Sequence, residues 1–261
     1  MTQSKLGAGA EGLTGIKTIM TDSKTLSRLK EAKSIVFFTG AGISAESGIS
    51  TFRGAGGIWN KLKPEELASM DGFMKNPEMV WEWYKYRKQV IEESKPNAGH
   101  IAIAKFREII PEVTVVTQNI DNLHKRAGSE NIFELHGNME KNYCLKCKKR
   151  YDGDIDLSAK VPRCTCGGMI RPDIVWFGEY LPEDQFAGSE KAIKNCDVFV
   201  VAGTSAVVYP AAGLIYTARD AGAYIIEVNI EETEVSRFAD ISYFEPAGVV
   251  LPRLLNDLKN S

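Results

Sequence analysis

Thr39-Gly40-Ala41-Gly42-Ile43-Ser44-Ala45-Glu46-Ser47-Gly48-Ile49-Ser50-Thr51-Phe52-Arg53-Gly54 directly follows the apolar run Ser34-Ile35-Val36-Phe37-Phe38. The run reads as a short buried strand. Strand, tight glycine turn and helix start, in that order, let backbone N–H groups approach a pyrophosphate. Gly40 and Gly42 supply the turn and the close approach, and Ser44 and Ser47 bring hydroxyls nearby. Alone, the pattern fits a structural turn as well as a dinucleotide site. Two departures narrow it. Ala45 stands where the third glycine of the usual fingerprint falls, and residues 57–95 read as helical where a strand with a ribose-binding acid is expected about twenty residues on. An ordinary nicotinamide dehydrogenase fits poorly. Phe52 and Arg53 inside the loop point instead to a loop that folds over its ligand.

Working outward toward the N-terminus, Thr21 or Asp22 caps a helix to about Lys33, with Leu26, Leu29 and Ala32 on one face. Residues 1–20, with Gly7-Ala8-Gly9-Ala10, read as a flexible extension. Toward the C-terminus, Pro64-Glu65-Glu66 and Asn76-Pro77-Glu78 each suit a helix first turn. Trp81, Tyr84 and Arg87 then recur three apart and share one helix face. One reading makes the aromatics core and Arg87 a solvated edge. The other makes Tyr84 and Arg87 a pair that binds a carboxylate, one by hydroxyl and one by planar fork.

Asn97 caps a further helix to about Ile109, and Glu112-Val113-Thr114-Val115-Val116-Thr117 is a second buried strand. It runs into Gln118-Asn119-Ile120-Asp121-Asn122-Leu123-His124, at the strand end where open α/β sheets place ligand contacts. These amides either meet a ligand or satisfy loop backbone. Phe133-Glu134-Leu135-His136-Gly137-Asn138 reads as a third short strand ending in a histidine. His136 sits at the same sheet end as the amide cluster, and imidazole is the side chain best matched to proton transfer near neutrality. We therefore read it as catalytic.

Cys144-Leu145-Lys146-Cys147, sixteen residues, then Cys164-Thr165-Cys166 is the most specific pattern in the chain. Two thiolate pairs on tight turns converge to a tetrahedral zinc site with no open position, so the metal is structural. Lys146, Lys148, Lys149, Arg150 and Arg163 around it read as solvated. The α/β pattern then resumes. Arg171 to Glu179 is an extended segment able to offer a strand edge to a peptide. Cys196 to Ala202 is a strand ending in Gly203-Thr204-Ser205, a second small-residue loop. Ala223 to Asn229 is another strand, whose end places Asn229 and Glu231 within reach of a ribose. A helix from about Ala247 to Leu258 closes the chain, and Cys196 is an inert thiol.

A chain of 261 residues with 44% hydrophobic and 25% charged residues is an ordinary globular composition. The net charge of −2 gives no footprint for direct nucleic-acid binding, which is not expected. No run approaches membrane-spanning length, and the first twenty residues lack the order of a signal peptide. The expectation is a cytoplasmic protein with no membrane partner; nothing in the sequence specifies an oligomeric state.

Taken together, Gly40-Ala41-Gly42-Ile43-Ser44, Thr51-Phe52-Arg53, Thr117-Gln118-Asn119-Ile120-Asp121, Leu135-His136-Gly137, the cysteine quartet, Val175-Trp176-Phe177-Gly178-Glu179, Gly203-Thr204-Ser205 and Val228-Asn229 resemble the motifs of the sirtuins, in the family's order over roughly residues 22–259. The resemblance implies an NAD-dependent protein-lysine deacylase of class III, prokaryotic or archaeal type. Two departures are visible: Ser50 stands where proline is common, and one residue separates the second cysteine pair. The implied fold is a Rossmann-like parallel sheet (residues 21–56, 97–138 and 180–261) with a smaller domain made of a helical insertion (57–96) and a zinc module (139–179). NAD is held by Gly40, Ala41, Gly42, Ser44, Phe52, Arg53, Gln118, Asn119, Ile120, Asp121, Gly203, Thr204, Ser205, Asn229, Glu231 and Ala247. The acyl-lysine peptide lies on Val175, Trp176, Phe177 and Gly178. His136 and Asn119 are catalytic, and Cys144, Cys147, Cys164 and Cys166 bind Zn²⁺. The Tyr84–Arg87 pair matches the signature of the branch that prefers succinyl and malonyl groups. Nicotinamide, free lysine and 2′-O-acyl-ADP-ribose are the implied products. Protein mono-ADP-ribosyl transfer, and an NAD-sensing zinc-ribbon module, are the alternatives.

Overall fold

A computed structural model describes residues 21–53, 57–152 and 155–261; the extension expected over residues 1–20, and Gly54 of the opening stretch, lie outside them. Asp22 caps α1 (Ser23–Glu31), its carboxylate accepting the Thr25 N–H at 3.0 Å. In β1 (Ser34–Thr39) every residue after Ser34 is buried, the mark of a strand covered on both faces. The insertion holds three helices, α2 (Pro64–Leu67), α3 (Met70–Lys75) and α4 (Pro77–Glu93), followed by α5 (Ala98–Lys105). Next come β2 (Glu112–Thr117), α6 (Leu123–Arg126), β3 (Ile132–Glu134), and the strands β4 (Gly137–Cys144), β5 (Arg150–Asp152) and β6 (Ile170–Ile174). The chain ends with α7 (Glu183–Lys194), β7 (Val198–Ala202), α8 (Gly213–Asp220), β8 (Tyr224–Val228), β9 (Ile241–Tyr243) and α9 (Ala247–Lys259).

Among the described residues the large sheet runs β3-β2-β1-β7-β8-β9, with every pairing parallel. With the three small-sheet strands set aside, this is the doubly wound Rossmann order. Ile35 and Phe37 point into a core closed by α1, α5 and α9, while Val36 and Phe38 point into one closed by α7 and α8. The order of strands reverses between β1 and β7, so a crevice opens beyond their C-terminal ends.

The smaller sheet, β5-β4-β6, is antiparallel. It shares one core with the insertion: Phe73, Val80, Trp81 and Tyr84 pack with Met139, Ile170, Ile174 and Trp176. Trp81 also donates its indole N–H to the Ile170 carbonyl at 2.9 Å. Losing so large a buried side chain costs about 3–5 kcal/mol, so helical insertion and cysteine module depend on each other.

The structure departs from the expected third strand over residues 133–138. β3 stops at Glu134 and β4 starts at Gly137, whose φ of +76° turns the chain from one sheet into the other. His136 therefore sits on the corner between the two sheets rather than at a strand end.

Candidate active site

A cleft of about 1350 Å³ lies between the two sheets, floored by the loops after β1, β2, β7 and β8. Its floor is built by loops packed on one another. A Cβ on Gly40 would lie 2.6 Å from the Thr204 Cβ, and one on Gly42 2.7 Å from the Gly203 carbonyl oxygen. The Gly42 N–H donates to that same oxygen at 2.7 Å. The close approach these glycines permit is thus, in the first place, to the 203–204 turn. Gln118 Nε2 donates to Thr204 Oγ1 at 3.0 Å, and Asn229 Nδ2 donates to the Thr204 carbonyl at 3.3 Å. Ala41, Arg53, Ser205, Glu231 and Ala247 also line the cleft.

Ser44 and Asp121 do not reach the cleft surface. Ser44 is buried, donating to Asp121 Oδ2 at 2.7 Å and accepting from Asn119 Nδ2 at 3.2 Å. Asn119 also donates to the Gly40 carbonyl at 3.0 Å. Behind them the buried rings of His100 and His124 meet edge-on at 4.8 Å, with His124 Nε2 2.9 Å from Thr39 Oγ1. Burial lowers both pKa values, that of His100 to about 4. A buried polar layer therefore fixes Asn119 from below, while Asn119, Gln118 and Ile120 line the cleft.

His136 Nδ1 lies 2.9 Å from the Gln118 carbonyl oxygen, which can only accept. Nδ1 therefore carries the proton, and Nε2 keeps its lone pair. Burial in the cleft wall holds the imidazole pKa below its usual value, partly offset by the bond to Gln118. Near neutrality this is an unprotonated base.

Sequence reasoning passed over Glu227. Its carboxylate is buried in β8 and accepts from the hydroxyls of Thr233, Ser236 and Ser242 at 2.5–2.6 Å. It anchors the loop that carries Asn229 and Glu231. The signal was present: one acid inside the apolar run Tyr224-Ile225-Ile226-Glu227-Val228.

The opposite wall comes from the smaller unit. The Val175 N–H donates to the His136 carbonyl and the Phe177 N–H to the Ala68 carbonyl, both at 2.9 Å. Arg171, 0% exposed, pairs with both Glu179 oxygens and stacks on the Trp176 ring at 3.4 Å. Trp176 Nε1 donates to the Tyr84 hydroxyl at 2.8 Å. Tyr84 lines the cleft, but Arg87 does not: at 3% exposed it lies one layer behind, its guanidinium 5.3 Å from the Phe52 ring and 6.0 Å from that of Trp83. Helical spacing aligns the two residues, and the cofactor-side loop covers one of them. Among the described residues no carboxylate forms an ion pair with Arg87, and its Nε has no hydrogen-bond partner. Burial lowers its pKa, against the favourable charge of Asp121.

The Sγ atoms of Cys144, Cys147, Cys164 and Cys166 all lie within 4.8 Å of one another, with the 144–166 and 147–164 pairs at 3.6 Å. Zn–S bonds of about 2.3 Å in a tetrahedron give sulfur–sulfur edges of about 3.8 Å. The quartet fits zinc, despite the single residue between Cys164 and Cys166. The Tyr151 hydroxyl donates to Cys164 Sγ at 2.9 Å, the kind of outer contact that fixes a metal ligand.

The Sir2 family model matches residues 40–210. A relative from Aquifex aeolicus (strain VF5), named NAD-dependent protein deacylase, is 48% identical over 231 residues, covering 88% of this chain and 97% of the relative. A solved Sir2 homolog–NAD complex superposes with a TM-score of 0.85 at 41% identity, covering 92% of this chain and 94% of that one. A Sir2–p53 peptide–NAD⁺ structure gives 0.84 at 36% identity, covering 93% of this chain and all of the other. The chain belongs to the Sir2 family.

Proposed function

We infer that this protein is an NAD-dependent protein-lysine deacylase. The observation that carries the reading is His136, a neutral base with its Nδ1 tied to Gln118 and its Nε2 open, on the corner where two unlike walls meet. The paired glycine loops, Gln118, Asn119 and the Glu227-anchored loop form a wall suited to a dinucleotide, and the 175–178 segment a wall suited to an extended peptide. When bound, NAD supplies an activated ribose carbon that exchanges nicotinamide for the acyl oxygen of the substrate. Asn119, held from below by Gly40 and Ser44, orients the groups around that carbon. His136 Nε2 accepts a proton from a ribose hydroxyl, and Phe52 would shield the site from premature hydrolysis until the one water that the reaction consumes releases the lysine amine. The products are nicotinamide, free lysine and 2′-O-acyl-ADP-ribose.

Within this activity, succinyl- and malonyl-lysine are substrates alongside acetyl-lysine. The support is Arg87, a buried guanidinium with no ion-pair partner among the described residues, next to the Tyr84 hydroxyl. An unpaired buried cation is costly unless an anion completes it. The thiolate quartet suits a reducing, cytoplasmic setting.

Mass spectrometry of one peptide carrying acetyl-, malonyl- or succinyl-lysine tests both levels. Loss of acyl mass only with NAD, abolished by about 10²–10⁴-fold in His136→Ala, is expected from the removal of a general base. Acyl loss without NAD, or full activity in His136→Ala, refutes the deacylase. Faster loss of acetyl than of succinyl removes the acidic-acyl assignment alone.

A further inference from the structure

We propose that Trp176 is a positioning residue for the acyl group: by donating its indole N–H to the Tyr84 hydroxyl oxygen, it leaves the phenol only a proton to offer, and so sets the preference for acidic over neutral acyl groups. The proposal rests on the reading of Tyr84 and Arg87 as a carboxylate pair.

A phenol has one proton and two acceptor sites, so an isolated tyrosine can present either face of its chemistry to a ligand. An indole N–H can only donate. At 2.8 Å from Tyr84 Oη, Trp176 Nε1 engages the oxygen lone pairs on one side. No group among the described residues accepts the phenol proton in return. Burial also keeps the phenol protonated, holding its pKa well above the usual value. The guanidinium of Arg87, one helical turn on, has donors only. Two donors and no acceptor thus lie at the same end of the cleft, Tyr84 in its lining and Arg87 one layer behind, against Phe52. Such a pair completes its hydrogen bonds with an anionic terminus, through charge-assisted bonds stronger than neutral ones, and gains less from an uncharged methyl.

The donor is itself held rigidly. Arg171 stacks on the indole at 3.4 Å and bonds both Glu179 oxygens, while the Trp176 backbone N–H donates to Glu179 Oε2 at 2.8 Å. Phe73 packs on another side, with ring centroids 5.2 Å apart. The indole has no freedom to turn away from Tyr84, so the direction of the Trp176–Tyr84 bond is fixed before any substrate enters.

The test is the ratio of kcat/KM for succinyl- and acetyl-lysine versions of one peptide, with NAD saturating. It is measured in the wild type, Trp176→Phe, Tyr84→Phe, the double variant and Arg87→Met. A further form carries benzothienylalanine at 176, which keeps the bicyclic shape and replaces the N–H with sulfur, so the contact is probed without a cavity. The ratio is expected to fall about tenfold in both 176 forms, the size expected of one preorganised charged hydrogen bond. In the Tyr84→Phe background the same substitution is expected to change it by less than about twofold, because the two residues act through one hydroxyl. An unchanged ratio in the benzothienylalanine form, or an equal fall with and without the Tyr84 hydroxyl, overturns the proposal. A ratio that responds to Arg87→Met and not to either 176 form overturns the proposal alone. A ratio indifferent to Arg87→Met overturns the acidic-acyl reading beneath it.

Discussion

The two walls of the cleft are built on different principles. The wall beneath Gly40, Gly42 and Gly203 is loop packed on loop, at separations where no Cβ fits, with the Gly42 N–H bonded to the Gly203 carbonyl. The wall formed by Tyr84, Arg87 and Trp176 is side chain against side chain, and it leaves a guanidinium without an ion-pair partner and a phenol proton without an acceptor among the described residues. The first wall is held in place by its own close contacts and suits a ligand of fixed geometry. The second leaves bonding capacity unmet, which on the proposed reading an acidic acyl group would supply. Close backbone packing suits an unvarying cofactor, and the proposed selection among acyl groups rests on the donors the other wall leaves unpaired.

The largest effect that would break this contrast is in the backbone wall. Gly42→Ala should reduce NAD-dependent turnover by roughly 100-fold or more and lower the melting temperature, because overpacking against the rigid Gly203 backbone costs about 1–3 kcal/mol or more. A near-normal variant in steady-state kinetics would mean that the floor is compliant. In the side-chain wall the sign should reverse. Arg87→Met is expected to raise stability to urea by about 1 kcal/mol while reducing desuccinylation, since it removes a buried charge that lacks a partner in the free protein. A loss of stability would show that Arg87 is structural.

Between the walls lies the buried histidine pair. A histidine whose folded pKa is depressed binds fewer protons folded than unfolded, so its contribution is full above the unfolded value and is lost as the pH falls below it. For His100, about 4 when folded, the window runs from about 6.5 downward, and stability should drop by on the order of 2 kcal/mol between pH 6.5 and 5. Urea titrations at those two pH values check it, and the drop should shrink in His100→Asn. The smallest expected effect is in Glu227→Gln, which swaps an acceptor-only group for an amide among three hydroxyls. It should raise KM for NAD about fivefold with little change in kcat, as one weakened hydrogen-bond anchor predicts.

Much of this was legible in the chain. The continuous apolar run Ile35-Val36-Phe37-Phe38, the cysteine spacings and the glycine turns are local signals, and apart from the third strand the strands, loops and thiolate quartet formed where they indicated. Ser44 and Asp121 were the hardest to place from sequence. Both belong to polar motifs beside the ligand loops, and whether a hydroxyl faces the cleft or the layer beneath depends on what packs against it, here Asn119 and the histidine pair. Glu227 shows the converse: an acid in an apolar strand announced a buried partner set without naming it.

By itself the sequence located the strands, the two thiolate pairs and the glycine turns, and the resemblance of its motifs implied the Rossmann-like sheet. The strands, turns and individual thiolate pairs are each marked by periodicity or spacing within a few residues, which fixes local backbone geometry before distant parts of the chain meet. Only the tertiary structure decided that Arg87 lies behind Phe52, that Gly42 closes on Gly203, and that Trp176 reaches Tyr84 across 92 positions of chain. Hydrogen-bond direction and burial are properties of neighbours, and these neighbours come from segments that meet only when the two sheets are folded against each other.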